Sequence, residues 1–149
     1  MQTFLPWPDF NDSARALDDR RLGKQIIEAR QLFRTLTGIT GGWRNHPATG
    51  MWRGHEMPLV GYAVACNDEW KRRHLRQHGA HRNLFEIDVP RVDPQTLGFS
   101  PPPWLGDPEF HRRHRLRLLY VKPDWYTHRF PEPVPDTPPD YLWPKGAAA

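Results

Sequence analysis

Proline decides where this chain can be regular. Most of its 17 prolines, in 149 residues, gather between residues 90 and 108 and between 131 and 144. Each fixes its own φ, lacks the N–H that a helix or sheet needs, and pushes the residue before it out of the helical region. Those stretches are expected to be long ordered loops and a tail, the last either wrapped on the surface or mobile. Pro6 and Pro8 likewise hold "MQTFLPWPDF" extended.

Helices must form between the prolines. Asn11, Asp12 or Ser13 can cap a short lead-in turn, after which Leu22, Ile26, Ala29, Phe33 and Leu36 recur at helical spacing until Gly38. A second helix is expected from Pro58, with Leu59, Ala63, Cys66 and Trp70 as its buried stripe. Asp107 as cap and Pro108 in the first turn open a third, which runs through Leu116 and Leu119 to Pro123. Strand signals are weak and no repeat is present. The fold class is therefore mainly α, a single compact domain of three principal helices with long Pro-rich loops and an extended C-terminal tail. The domain is drawn over 1–130 and the tail over 131–149.

A lone Cys66 rules out a disulfide framework, and no apolar run approaches the length of a bilayer span or a leader's core, so a reduced cytoplasmic setting is expected. Net charge is +4, and its distribution says more than its sum. Lys71, Arg72, Arg73, Arg76 and Arg82 crowd one segment, and Arg112, Arg113, Arg115 and Arg117 another. Concentrated patches of this kind favour a polyanion, although cations at the end of the second helix also suit its dipole.

Three constellations could carry chemistry. Lys24 and Glu28, four apart on the first principal helix, share a face with Arg21 and Gln31, either as a solvated ion pair or as a site. The segment "GWRNHPATGMWRGHE" interleaves Trp43, Arg44, Asn45, His46, Trp52, Arg53, His55 and Glu56, which suits stacking on bases and pairing with phosphates, or else a loop anchored by its tryptophans. His74, His78 and His81 fall near helical spacing, but five Lys/Arg around them would repel a dication, so no metal is expected. No nucleophile elbow and no phosphate-binding glycine loop is present.

Taken together, these segments resemble the phage-type pyrimidine-dimer DNA glycosylase family, whose members also act as AP lyases. "LDDRRLGKQIIEARQLF" is similar to that family's first helix, with Glu28 in register with its catalytic glutamate. "HPATGMWRGHE" is similar to its central loop and "KPDWYTHRF" to its aromatic C-terminal segment. The resemblance extends to about residue 130 and implies a DNA-repair enzyme, cofactor-independent, monomeric and nucleoid-associated, acting on double-stranded DNA. In the family an amine attacks the sugar C1′, the base leaves, and the resulting imine permits elimination of the 3′ phosphate, with the glutamate stabilising the cationic sugar. Phosphate and base contacts would then fall to Arg20, Arg21, Gln31, Arg44, Asn45, His46, Trp52, Arg53, His55, Lys71, Arg72, Lys122, Trp125 and Tyr126. The Trp125–Tyr126 pair suits core closure equally well.

The amine itself stays open between Met1 and Lys24. The family uses an α-amine exposed by loss of methionine, and an α-amine near its usual pKa of about 7.7–8.0 is far better deprotonated at neutral pH than a lysine near about 10.4. Here Gln2 is bulky, so Met1 is expected to be retained, and the segment before the helix is longer than in the phage-type enzyme. Lys24, a turn from Glu28 and expected to be depressed by Arg21 and burial, is favoured over the Met1 amine. Ile27 and Gln31 stand where the family has arginines, which leaves the lesion open: a cyclobutane dimer, another damaged base or an abasic site. The alternatives are a non-catalytic nucleic-acid-binding domain on the same scaffold and an N-glycosidase acting on another nucleic acid.

Overall fold

Short acidic side chains open three helices of this protein. Asp9, Asp18 and Asp107 each accept a hydrogen bond from a backbone N–H of the first turn that would otherwise lack a partner. The computed structural model describes residues 1–74, 93, 95 and 97–146. Among them the helices are α1 (Phe10–Ala16), α2 (Asp19–Leu36), α3 (Pro47–Trp52), α4 (Glu56–His74), α5 (Pro108–Val121) and α6 (Pro123–Tyr126). The long ones, α2, α4 and α5, are the three that the periodicity announces. Asn11, Asp12 and Ser13 prove to lie inside α1, and Asp9 caps it instead. Gly38 ends α2 at φ 76°, a left-handed conformation that glycine reaches without steric cost. Arg76, Arg82, His78 and His81 lie outside the described residues.

The α2 stripe meets α4. Leu22, Ile26, Ala29 and Phe33 are 2 % exposed or less, and Leu59, Ala63 and Cys66 face them from α4, while Leu36 and Trp70 sit at the margin. Full burial of a side chain such as Leu22 or Phe33 contributes about 1.5–3 kcal/mol, so this seam is the main hydrophobic investment. Burial pushes the Cys66 thiol up to about 12, and it behaves as a small apolar residue. The basic end of α4 is partly structural: Arg73 donates to Leu17 O (2.7 Å), Arg15 O (3.0 Å) and Ala14 O (3.4 Å), satisfying the last carbonyls around α1, and pairs with Asp19 and Glu69.

Two segments without regular structure, one at each end of the described residues, pack across the helices. The N-terminal arm, residues 1–8, threads between helices and is gripped by α5, where Leu5 N–H donates to His114 Nδ1 at 2.9 Å and His111 Nδ1 donates to Leu5 O at 2.8 Å. The C-terminal strap, residues 131–146, begins at Glu132, which accepts a forked pair of bonds from Arg115, itself stacked on Trp7 at 4.6 Å. Tyr141 then packs on Phe4 and His114, Trp143 packs on His46, and Gly146 N–H reaches Gly50 O at 2.9 Å. A Cβ at Gly146 would lie 2.5 Å from Gly50 O and 2.6 Å from Arg53 O, so only glycine can dock here. The sequence leaves these residues as a wrap or a mobile tail; they are a wrap, returning over the N-terminal arm.

Candidate active site

Glu28 stands on α2 at the edge of the buried stripe, half-buried beside the N-terminal arm. Its Oε2 accepts from the backbone N–H of Gln2 at 3.2 Å and from Gln25 Nε2 at 3.4 Å. The chain's first peptide group therefore lies directly on the carboxylate.

Gln25, one turn before Glu28 and 1 % exposed, makes that arrangement possible. Its Nε2 also donates to Gln2 O at 3.0 Å, while its Oε1 accepts from Phe4 N–H at 2.7 Å. The hydroxyl of Tyr62, fully buried on α4, lies 2.7 Å from both that oxygen and Phe4 O and has one proton to share between them. Beyond Phe4, Thr3 Oγ1 accepts from Trp52 Nε1 at 2.9 Å. A buried amide left unpartnered costs about 1–3 kcal/mol, so this network fixes the arm as a rigid element. Sequence reasoning missed Gln25. The signal was available, because a polar residue sits on the apolar face between Leu22 and Ala29 and must have a partner there.

Next to this network a cavity of about 210 Å³ is lined by Phe4, Arg20, Arg21, Lys24, Gln25 and Glu28. It brings together Lys24, Glu28, Arg20 and Arg21 of the residues singled out in the sequence. Lys24 is exposed rather than buried, which removes one of the two influences expected to activate it. Arg21 is held to Asp18 at 2.7 Å. Burial raises the Asp18 carboxyl, but hydrogen bonds from Tyr126 and Arg21 outweigh it and hold the group below its usual range.

His46, outside the lining of that cavity, feels the charges of Glu28 and the N-terminus. Its Nδ1 accepts from Ala48 N–H at 3.1 Å as the N-cap of α3, which puts the proton of the neutral ring on Nε2. Burial lowers its pKa, the Met1 ammonium lowers it further, and Glu28 acts in the opposite sense. Imidazole, N-terminus and carboxylate thus share one electrostatic neighbourhood. Tyr141 of the strap joins it: burial raises its phenol, Arg117 and Arg21 oppose that, and the Glu28 charge adds to it.

The remaining candidates divide by burial. Gln31, Arg44 and Asn45 are exposed and Arg53 is half-buried. Lys71 is half-buried at the end of α4, where exposed Arg72 pairs with Glu69 at 2.7 Å. Three expected DNA contacts are core groups instead. Trp52 is fully buried on Thr3, His55 is 6 % exposed with Nδ1 on Ser100 O at 2.8 Å, and Tyr126 is fully buried, donating to Asp18 Oδ2 at 2.7 Å. Trp125 closes the core with it: its Nε1 donates to Ala16 O at 3.0 Å and Arg129 covers its ring at 4.0 Å. Lys122 is exposed, 3.8 Å from Asp18. Each correction has the same cause, a partner far along the chain that claims the side chain's polar atom. Among the described residues no group of three or more His, Cys, Asp or Glu is arranged to hold a metal ion.

The family model for pyrimidine dimer DNA glycosylase covers residues 1–83, which hold the arm, α1 to α4 and every residue of the Glu28 cavity. The match ends before α5 and the strap. No curated protein and no solved structure matches the chain.

Proposed function

Because the chain belongs to the pyrimidine dimer DNA glycosylase family, we propose that it excises a damaged pyrimidine from duplex DNA and then opens the strand at the abasic sugar, with the Met1 α-amine as nucleophile and Glu28 as its carboxylate partner. The family makes DNA the substrate. No helix among the described residues is long and apolar enough to cross a membrane.

The observation that carries the reading is the Gln2 N–H lying 3.2 Å from Glu28 Oε2, one residue from the α-amine. An α-amine has a reference pKa of about 7.7–8.0, so a useful fraction is free base at neutral pH. Its lone pair attacks C1′ as the glycosidic bond breaks, and the departing base takes up a proton. Glu28 stabilises the positive charge spread over C1′ and the ring oxygen. The sugar ring then opens: one amine proton passes to the ring oxygen O4′ as the C1′–O4′ bond breaks, which leaves a hydroxyl there and an iminium between the α-nitrogen and C1′. A proton is then lost from C2′, the C3′–O bond breaks and the 3′ phosphate departs; water hydrolyses the imine, returning the amine and an unsaturated aldehyde. Arg20 and Lys24, exposed at the cavity, supply positive charge for the flanking phosphates. Reaching C1′ requires a nucleotide to leave the stack, at a cost of a few kcal/mol.

Borohydride trapping on an abasic duplex, followed by peptide mapping, tests this. The expected adduct is on Met1, and Glu28→Gln should slow trapping by about 100-fold or more, in the range of a lost general-acid/base or charge-stabilising group. An adduct on Lys24 would transfer the nucleophile to the helix. Binding of duplex DNA with neither adduct nor base release would make the protein a binding domain that shares the scaffold.

A further inference from the structure

Of the two tryptophans between α2 and α4, the buried one, Trp52 at the end of α3, belongs to the core. The other is its opposite. Trp43 is 41 % exposed, the most exposed of the seven tryptophans, all of them among the described residues. It is also held in place. Its carbonyl accepts from Thr49 Oγ1 at 2.7 Å and from His46 N–H at 3.0 Å, which ties the turn 42–45 to the first turn of α3. Its indole stands edge-on to the His46 ring, centroids 5.4 Å apart and planes at 83°, and Trp143 of the strap abuts that imidazole from a second direction at 5.9 Å. His46 in turn senses the Met1 ammonium and the Glu28 carboxylate. A large apolar ring is thus presented to solvent at the margin of the catalytic neighbourhood, flanked by exposed Arg44 and Asn45.

From this geometry we infer that Trp43 is the residue that enters the duplex and occupies the space in the base stack left by the extruded nucleotide. The inference rests on the glycosylase reading and deepens it. Drawing a nucleotide out of the duplex leaves its neighbours with an uncovered π face, and an apolar side chain inserted there holds the strand open. Indole is the side chain best suited, since base–aromatic stacking is strong and tolerant of sequence. The turn removes most of the ordering cost, because the ring's backbone and its contact with His46 are set before DNA arrives. Arg44 beside it matches the phosphates that border the gap, and Asn45 a base edge or sugar. Among the described residues the Trp43 indole nitrogen makes no hydrogen bond; the bonds that hold this residue run through its carbonyl, which substitution leaves intact.

The test is the rate of borohydride trapping on one abasic oligonucleotide, single-stranded and as a duplex, for the native protein, Trp43→Ala and Trp43→Phe. A single strand has no stack to hold open. Trp43→Ala should trap the duplex about 10-fold or more slowly, keep the native rate on the single strand, and melt nearly as the native protein does. Trp43→Phe should recover most of the duplex rate. Equal losses on both strands, or an unchanged duplex rate, would overturn the assignment. A native protein inert on both forms would overturn the enzymatic reading instead. The inference is then decided by binding to a duplex carrying a tetrahydrofuran abasic analogue: loss of its preference over intact duplex in Trp43→Ala upholds the wedge, and an unchanged preference sinks it.

Discussion

Acidification should unfasten the N-terminal arm, and the strength of the effect follows from one histidine. His114 is fully buried on α5 and accepts the Leu5 N–H at Nδ1, so a second proton would face a donor with no water to screen it. Burial, with the neighbouring His111 adding to it, lowers its pKa from 6.5 to about 3. The unfolded chain takes up that proton below about pH 6.5 and the folded chain does not until about pH 3. Stability from this group is therefore complete above about 6.5 and is lost as pH falls across that window. At 1.36 kcal/mol per unit the loss is about 2 kcal/mol by pH 5 and about 4 kcal/mol by pH 3, a large part of the ~5–15 kcal/mol of an ordinary domain. His111 works in the same direction: burial lowers it, and its Nδ1 and Nε2 are both engaged, with Leu5 O and Gly106 N–H. The assay is urea unfolding at pH 7.5, 6 and 5 for the native protein and for His114→Asn, whose side-chain oxygen can accept the Leu5 N–H but cannot titrate. The variant should start less stable and lose about 2 kcal/mol less between pH 7.5 and 5. The carboxylates Asp18, Glu69 and Glu109, all held below their usual range, titrate beneath that interval and do not confuse it. Parallel slopes for the two proteins would refute the argument.

Two further outcomes follow from the hydrogen-bond networks. Tyr126→Phe removes the 2.7 Å bond to Asp18, a carboxylate 1 % exposed, and should cost about 1.5–3 kcal/mol in denaturant unfolding at pH 7; a loss below about 0.5 kcal/mol would mean that Arg21 and Lys122 suffice to hold the charge. Gln25→Leu, similar in volume, strips partners from Gln2 O and Phe4 N–H and should cost about 2–4 kcal/mol while slowing borohydride trapping by about 10-fold or more, with hydrogen exchange faster in the arm than in α2. An arm that stays protected in this variant would show that Glu28, Trp52 and α5 hold it without Gln25.

The features legible along the chain are local. The stripe from Leu22 to Phe33, the Asp107–Pro108 start of α5 and its end before Pro123 are set by spacings within one or two turns, and propensity and capping act at that range. Glu28, Lys24, Arg20 and Arg21 could share a cavity because a helix places them on one side whatever surrounds it. Burial is not local. Trp43 and Trp52 stand in similar company along the chain, yet one is exposed and the other sealed by Thr3, 49 residues away; Tyr126 turned inward because Asp18, 108 residues away, accepts its hydroxyl hydrogen bond. Only the tertiary structure laid Gln2 on Glu28, gave Gln25 its partners and folded the strap back against the arm. The physical reason is that a buried polar atom must find its complement wherever the packed chain brings one, and that choice lies outside any window of sequence.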